Sequence, residues 1–308
     1  MHKLKTCKVC GSWLIFTVKK YSVAPDLNQT WRHVFTTVLS SQEPFSIHLV
    51  LCAKCGFLFY KNIFNFAELE KLYTNEGRFD VTRKKNSERG GNEEVKRLMK
   101  FFKKHIDFST VPSVLDVGAG DFTVMDQLLE LAPSAEFAAL DPCFGSATYR
   151  ERVTVYQTMI EQFEPKRSYG FVSAIHILEH VSDLNLFMEK LSKLSANLLY
   201  VEVPFQVGPG LLLNRSVNTQ HINYFSPKTL ATLLQRHGFR ILVTEFDKEG
   251  YEYNGMPGMI RILAEKQHEY IQERRGGFNE TLWYLFTPFV FGKYALKRLL
   301  QKYAFSRQ

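Results

Sequence analysis

The sequence predicts an α/β protein: a doubly wound, mostly parallel sheet preceded by a small N-terminal module stapled by cysteines. Three observations carry this. Two CxxCG knuckles, Cys7-Lys8-Val9-Cys10-Gly11 and Cys52-Ala53-Lys54-Cys55-Gly56, stand about forty residues apart. From residue 113 onward, short β-rich apolar runs alternate with segments of helical period. A glycine turn, Gly118-Ala119-Gly120, follows the first of those runs directly.

Each knuckle offers two thiolates to one edge of a tetrahedron, and its glycine permits the tight turn that brings backbone N–H groups toward the sulfurs. Cys7, Cys10, Cys52 and Cys55 therefore read as a structural zinc site, with two disulfides or free buried thiols as the plainer alternative. Met1-His2-Lys3-Leu4-Lys5 is followed by no apolar core, so no signal peptide is expected. A reducing, cytoplasmic setting favours metal over disulfide. Cys143 reads as a small loop residue.

Around the knuckles, residues 13–18 and 45–51 read as strands. In the second, Phe45, Ile47, Leu49 and Leu51 alternate with Ser46, His48 and Val50. A short helix is expected over 66–73, a charged, glycine-punctuated linker over 77–92, and a helix over 93–108. Strands follow at 113–117, 136–140, 153–156, 170–175, 197–203, 240–244 and 259–264, and helices at 121–131, 183–194 and 227–237. The expected parts are a zinc-binding module over 1–75, a linker and entry helix over 76–110, the main α/β domain over 111–266, and an aromatic-basic helical tail over 267–308.

The ligand of such a sheet belongs at the carboxyl ends of its strands. Gly118 and Gly120 let backbone approach a ligand there, and the next helix presents free N–H groups to it. Asp141 ends the second strand, where a carboxylate reaches both hydroxyls of a ribose; a strand-end turn with Pro142 is the plainer role. Composition excludes a disordered chain, and the sequence has no run long enough for a membrane-spanning helix. The 39 basic and 31 acidic residues give a net charge of +8, which suits an anionic partner without choosing one.

Further pieces are His176-Ile177-Leu178-Glu179-His180-Val181-Ser182-Asp183, Val201-Glu202-Val203-Pro204, and Gln220-His221-Ile222-Asn223-Tyr224-Phe225-Ser226, the last with Ser226 as N-cap and Pro227 in the first helical turn. Together with Leu115-Asp116-Val117-Gly118-Ala119-Gly120, Leu140-Asp141-Pro142 and the two knuckles, their order resembles a class I S-adenosylmethionine (SAM)-dependent methyltransferase. The nearer likeness is to the group with an N-terminal zinc-binding domain, which includes sugar C-methyltransferases.

The resemblance implies a Rossmann-like methyltransferase domain with a zinc-ribbon-like domain before it. It also implies a SAM site built from Asp116, Gly118, Gly120 and Asp141, with the adenine near Met159 and Ile160. Phe122 stands where the family pattern has a third glycine, unless one residue is deleted there, and is expected to narrow the methionine end of the pocket. The residues after 266 are too few for the C-terminal domain of the sugar enzymes, so a different substrate site is expected.

His180 and His221 are the candidate catalytic residues, since imidazole titrates near neutral pH and transfer to oxygen or carbon needs a proton removed. A structural role for His180 stays open. Gln220 replaces the carboxylate that accompanies the late histidine in the sugar enzymes. The expected acceptor is a small molecule, a nucleotide- or lipid-linked sugar of polysaccharide or secondary metabolism. The rival reading is a catalytically inactive methyltransferase fold that binds RNA or a protein. Nucleic acid is the less favoured partner. Trp283, Tyr284, Phe286, Phe289 and Phe291, followed by Lys293, Lys297 and Arg298, suit either a fold-back onto the domain or peripheral membrane contact through 281–307.

Overall fold

In the computed structural model, the described residues are 2–3, 5–24, 26–27, 32, 34–39, 43–65, 67–68, 70–71, 92–143, 151–208, 211, 221–253 and 256–267. The expected linker, apart from residue 92, and the segment 281–307 lie outside them, as does Gln220.

The main sheet has seven strands in the order β12-β13-β10-β9-β6-β7-β8. They are β6 (Ser113–Val117), β7 (Glu136–Leu140), β8 (Val153–Tyr156), β9 (Tyr169–Ile175), β10 (Ser195–Pro204), β12 (Phe239–Tyr253) and β13 (Met256–Lys266). The run from β10 to β8 is parallel, and β13 is antiparallel to both of its neighbours. The central strands are apolar on both faces because helices cover both. Strand order reverses between β6 and β9, and that switch point opens the cleft at their carboxyl ends.

On one face, α1 (Asn92–His105) and α2 (Thr123–Leu131) bury Leu98, Phe101, Phe102, Met125 and Leu128 against an apolar cluster. Phe102 meets Phe171 and Tyr200 edge-on, at centroid distances of 5.5 and 4.7 Å. Glu93 and Glu94 lie in the first turn of α1 and Lys103 and Lys104 in its last, complementing the helix dipole. The opposite face carries α3 (Leu184–Leu194), capped by Asp183, and α4 (Pro227–Arg236). The Ser226 cap of α4 is a capping box with Thr229, and Pro227 sits in the first turn, as the sequence implies.

The N-terminal module is an antiparallel sheet of β2 (Ile15–Val23), β3 (Phe45–Cys52) and β4 (Leu58–Tyr60), with β1 (His2–Lys3) and β5 (Asn62–Ile63) paired beside it. The first strand begins later than expected, and Trp13 stands exposed ahead of it. In β3, Ile47, Leu49 and Leu51 are buried and Ser46 exposed; Val50 departs from the alternation because the end of the strand is covered on both sides.

The fourth strand of this sheet comes from far along the chain. β11 (Asn223–Tyr224) pairs antiparallel with β4, Asn223 opposite Phe59 and Tyr224 opposite Leu58. Phe57 packs on Phe225 at 5.0 Å, and the Tyr224 hydroxyl donates to Tyr60 Oη at 3.0 Å. The cores of the module and of one face of the main sheet are therefore continuous.

Asn223 is the polar centre of this joint. Its Nδ2 donates to the carbonyls of Leu178 (2.8 Å) and Val181 (2.7 Å), and its Oδ1 accepts from Lys8 Nζ at 3.0 Å. Asn223→Ala removes three buried hydrogen bonds and leaves an ammonium without that acceptor. The expected loss is about 3 kcal/mol of unfolding free energy, read from urea denaturation. A loss below about 0.5 kcal/mol would show that the joint is held by apolar packing alone.

Candidate active site

The glycine turn after β6 runs through left-handed backbone at Gly118 (φ +75°) and Gly120 (φ +54°). A Cβ on Gly118 would lie 2.0 Å from Ile177 Cδ1, so this glycine admits the end of β9 against the turn. Asp141 sits at the end of β7 with both carboxylate oxygens on backbone: Gly120 N–H donates at 3.0 Å and Cys143 N–H at 2.8 Å. The carboxylate thereby fixes the turn and is itself buried at the strand end. Asp116 is buried beneath them and accepts from Ser173 Oγ at 2.7 Å. Burial pushes its carboxyl up to about 7, opposed by the Ser173 hydrogen bond and assisted by the charge of Asp141.

Phe122 takes up the third left-handed position, φ +65°. Its ring does not line the cleft: it is fully buried in the cluster beneath α1 and α2. The expected narrowing of the pocket is thus corrected. The turn keeps its shape, at a backbone strain of about 1 kcal/mol. Of the expected adenine contacts, Met159 is half-buried in the turn after β8, whereas Ile160 belongs to the core.

The end of β9 carries the histidines. His180 and His221 meet edge to face, with centroids 4.8 Å apart. Their approach is set by backbone: the Glu179 carbonyl accepts from both Ile222 N (2.7 Å) and Asn223 N (3.0 Å). Gln206 Oε1 can only accept, so His221 Nδ1 donates to it, at 2.8 Å. Burial, with the charge of His180 next, holds the His221 imidazole down to about 3, so it stays neutral at neutral pH.

Residues that sequence reasoning passed over surround them. His176 adopts φ +56° and bridges carboxylates, with Nε2 at 3.1 Å from Glu94 and 3.6 Å from Glu202, and Nδ1 at 3.5 Å from Glu179. Burial would lower its pKa, but Glu179, Glu202 and Glu94 raise it well above the usual value. Burial would likewise raise Glu202, yet His176 and Arg261 bring it down to about 2. Only the apolar setting of Glu179 and Glu202 in the sequence could have flagged them, since a carboxylate amid buried residues needs a partner.

The four knuckle sulfurs converge within 4.8 Å of one another. Cys7 Sγ lies 3.6 Å from Cys55 Sγ, and Cys10 Sγ 3.5 Å from Cys52 Sγ. Tetrahedral zinc with bonds of about 2.3 Å separates its sulfurs by about 3.8 Å, so the cluster is compatible with zinc. The knuckles share one geometry: Gly11 N–H donates to the Cys7 carbonyl and Gly56 N–H to that of Cys52, with φ +67° and +82°.

A family model described as a methyltransferase domain matches residues 86–244, just over half of the chain. Among solved structures, the chain is similar to the 1,6-didemethyltoxoflavin N1-methyltransferase of Burkholderia thailandensis, bound to 1,6-didemethyltoxoflavin and S-adenosylhomocysteine. Identity is 16%, coverage 72% of this chain and 95% of that one, and the TM-score 0.51. It is also similar to the magnesium protoporphyrin IX methyltransferase of Synechocystis PCC 6803 with bound S-adenosylhomocysteine, at 16% identity, 65% and 99% coverage, and a TM-score of 0.51. No curated protein matches the chain in sequence.

Asp116→Asn keeps an acceptor for Ser173 and removes the buried charge. The neutral carboxyl favours the folded state at low pH, and this advantage is lost as pH rises through about 7. The variant should therefore exceed the parent in stability at pH 8, by on the order of 2 kcal/mol, and lose that lead progressively between about pH 7 and pH 4. Urea midpoints across that range measure it; an unchanged gap would show that Asp116 is not held against its charge.

Proposed function

The chain belongs to the methyltransferase-domain family and is a SAM-dependent methyltransferase, and we propose that it methylates a small sugar-containing acceptor, nucleotide- or lipid-linked. The observation that supports the acceptor site most is the meeting of His180 and His221 at the carboxyl end of β9, beside the glycine turn against which Ile177 lies. Cofactor and acceptor sites then adjoin at the switch point.

The residues present fit the cofactor. Gly118 and Gly120 bring bare backbone to the cleft, and the Asp141 carboxylate has lone pairs for ribose hydroxyls beyond the two backbone donors it already holds. When bound, the cofactor supplies an electrophilic methyl on a sulfonium. The protein's part is placement, with Asp141 orienting the ribose, Met159 bordering the adenine above the buried Ile160, and His180 and His221 lining the acceptor side. His221, with Nδ1 held by Gln206, stays neutral and lines the acceptor side without adding a charge there.

Cys7, Cys10, Cys52 and Cys55 hold one zinc ion in this reading, as a fold staple with four protein ligands and no open position. The proposed division is a zinc-binding module over 1–75, a linker and entry helix over 76–110, the methyltransferase domain over 111–266 and the tail over 267–308. Peripheral membrane contact through 281–307 rests on sequence alone; among the described residues no helix is long and apolar enough to cross a membrane.

Calorimetry should detect SAM binding by the full chain, weakened by roughly 1.5–3 kcal/mol in Asp141→Ala. Unchanged affinity in that variant would remove Asp141 from the ribose, and no binding by the unaltered chain would favour the non-catalytic RNA- or protein-binding alternative. Metal analysis should find one tightly held zinc per chain, lost in Cys55→Ser; zinc-free protein that folds normally would overturn the staple.

A further inference from the structure

Glu179 is 1% exposed, and neither of its carboxylate oxygens has a hydrogen-bond partner. A buried carboxylate in that condition is costly unless a cation stands by it. The nearest imidazole nitrogens, His176 Nδ1 and His180 Nε2, lie at 3.5 and 3.6 Å from Oε1, beyond good hydrogen-bond length. His176 turns Nδ1 toward Glu179 and Nε2 toward other carboxylates. It meets Glu94 at 3.1 Å, and Glu202 beside it is held by Tyr200 and Arg261, while Arg261 and Arg97 share Asp247. Glu179 thus stands beside His176 and His180 without a good hydrogen bond to either, and it is the carboxylate of this network whose two oxygens both lack one.

We propose that Glu179, His180 and His221 bind a divalent first-row transition cation, Mn2+ to Zn2+, with open positions toward the acceptor. One ligand atom from each residue lies within 4.8 Å of the others. Two ligands of one metal at bonds of about 2.1 Å are roughly 3.0–3.4 Å apart, close to the Glu179–His180 spacing. The backbone already docks the two ligand segments, through the Glu179 carbonyl on Ile222 and Asn223. Gln206 lies 2.8 Å from His221 Nδ1 and orients the ring; a ligating histidine ordinarily has such a partner on its other nitrogen. Two histidines and one carboxylate suit such a cation and leave coordination positions open. The neighbouring group of Glu94, His176 and Glu202 carries no such claim, because its members already satisfy one another.

What the cation does rests on the methyltransferase reading: an acceptor hydroxyl on an open position is acidified, its proton passes to water, and its oxygen becomes the nucleophile. Oxygen is then the methylated atom, and acceptors with two adjacent oxygens chelate best. Whether the cation binds does not depend on that reading.

The test titrates zinc-loaded full-length protein with Mn2+ by electron paramagnetic resonance, since Mn2+ does not displace zinc from thiolates. One Mn2+ per chain is expected, weakened at least tenfold in Glu179→Gln and in His221→Asn and unchanged in Glu93→Gln, whose side chain is exposed on α1. Zinc content and SAM affinity report whether each variant is folded; if one variant fails to fold, the other decides. No Mn2+ bound at millimolar concentration, or binding unaltered in the folded variants, overturns the site. Mn2+ bound as expected by a chain that does not bind SAM supports the site and counts against the methyltransferase reading alone.

Discussion

The strip from His221 to Ser226 answers to two sheets at once, and the active site depends on that double attachment. Its backbone completes the N-terminal sheet through β4 and also hydrogen-bonds to the Glu179 carbonyl at the end of β9. A two-residue strand has too few ladder bonds to hold itself in place. What holds it is the set of polar contacts at its start and the aromatic packing of Tyr224 and Phe225 after it. His221 is carried to His180 by this arrangement, and no element of the main sheet would bring it there.

A second constraint is electrostatic. The carboxyl ends of β9 and β10 deliver Glu179 and Glu202 into a nearly dry interior. Charges there persist only when matched, and the matching spreads through His176, Arg261, Asp247 and Arg97 to α1. The strained φ of His176 belongs to this account: a left-handed residue at the strand end points the imidazole back among three carboxylates. Strain at that position is tolerated because the surrounding ion pairs over-determine it.

Local signals explain what the sequence could reveal. Five-residue apolar runs, the Ser226-Pro227 helix start, the glycine turn and the paired knuckles all act over a few residues, and the structure reproduces each. What escaped depends on separation. Lys8 meets Asn223 across 215 residues, and β11 reaches β4 across more than 160, with nothing in either segment to mark the other. Phe122 shows a subtler failure. A missing glycine suggested a changed pocket, yet the backbone kept the glycine-like conformation and sent the ring into the core. Side-chain direction at a left-handed residue is set by tertiary packing, which a motif does not encode.

The same joint gives the cysteine module a consequence beyond stability. Lys8 lies inside the first knuckle, between Cys7 and Cys10, so its position is fixed by whatever fixes those sulfurs. It is buried, and burial brings its ammonium down to about 7, opposed by Asp183 and Cys7; such a group is retained only with an acceptor in place. That acceptor is Asn223, whose amide closes the Leu178–Val181 turn around Glu179 and His180. Arg236 adds a parallel tie, donating from α4 to the Val9 carbonyl at 2.8 Å. A disturbance at the sulfurs therefore reaches the turn that carries His180 through one short polar chain, from Lys8 through Asn223 to the Leu178 and Val181 carbonyls. A module joined only by apolar packing could loosen without moving His221; this one cannot, because the residue that orders the strip is an arm of the knuckle itself.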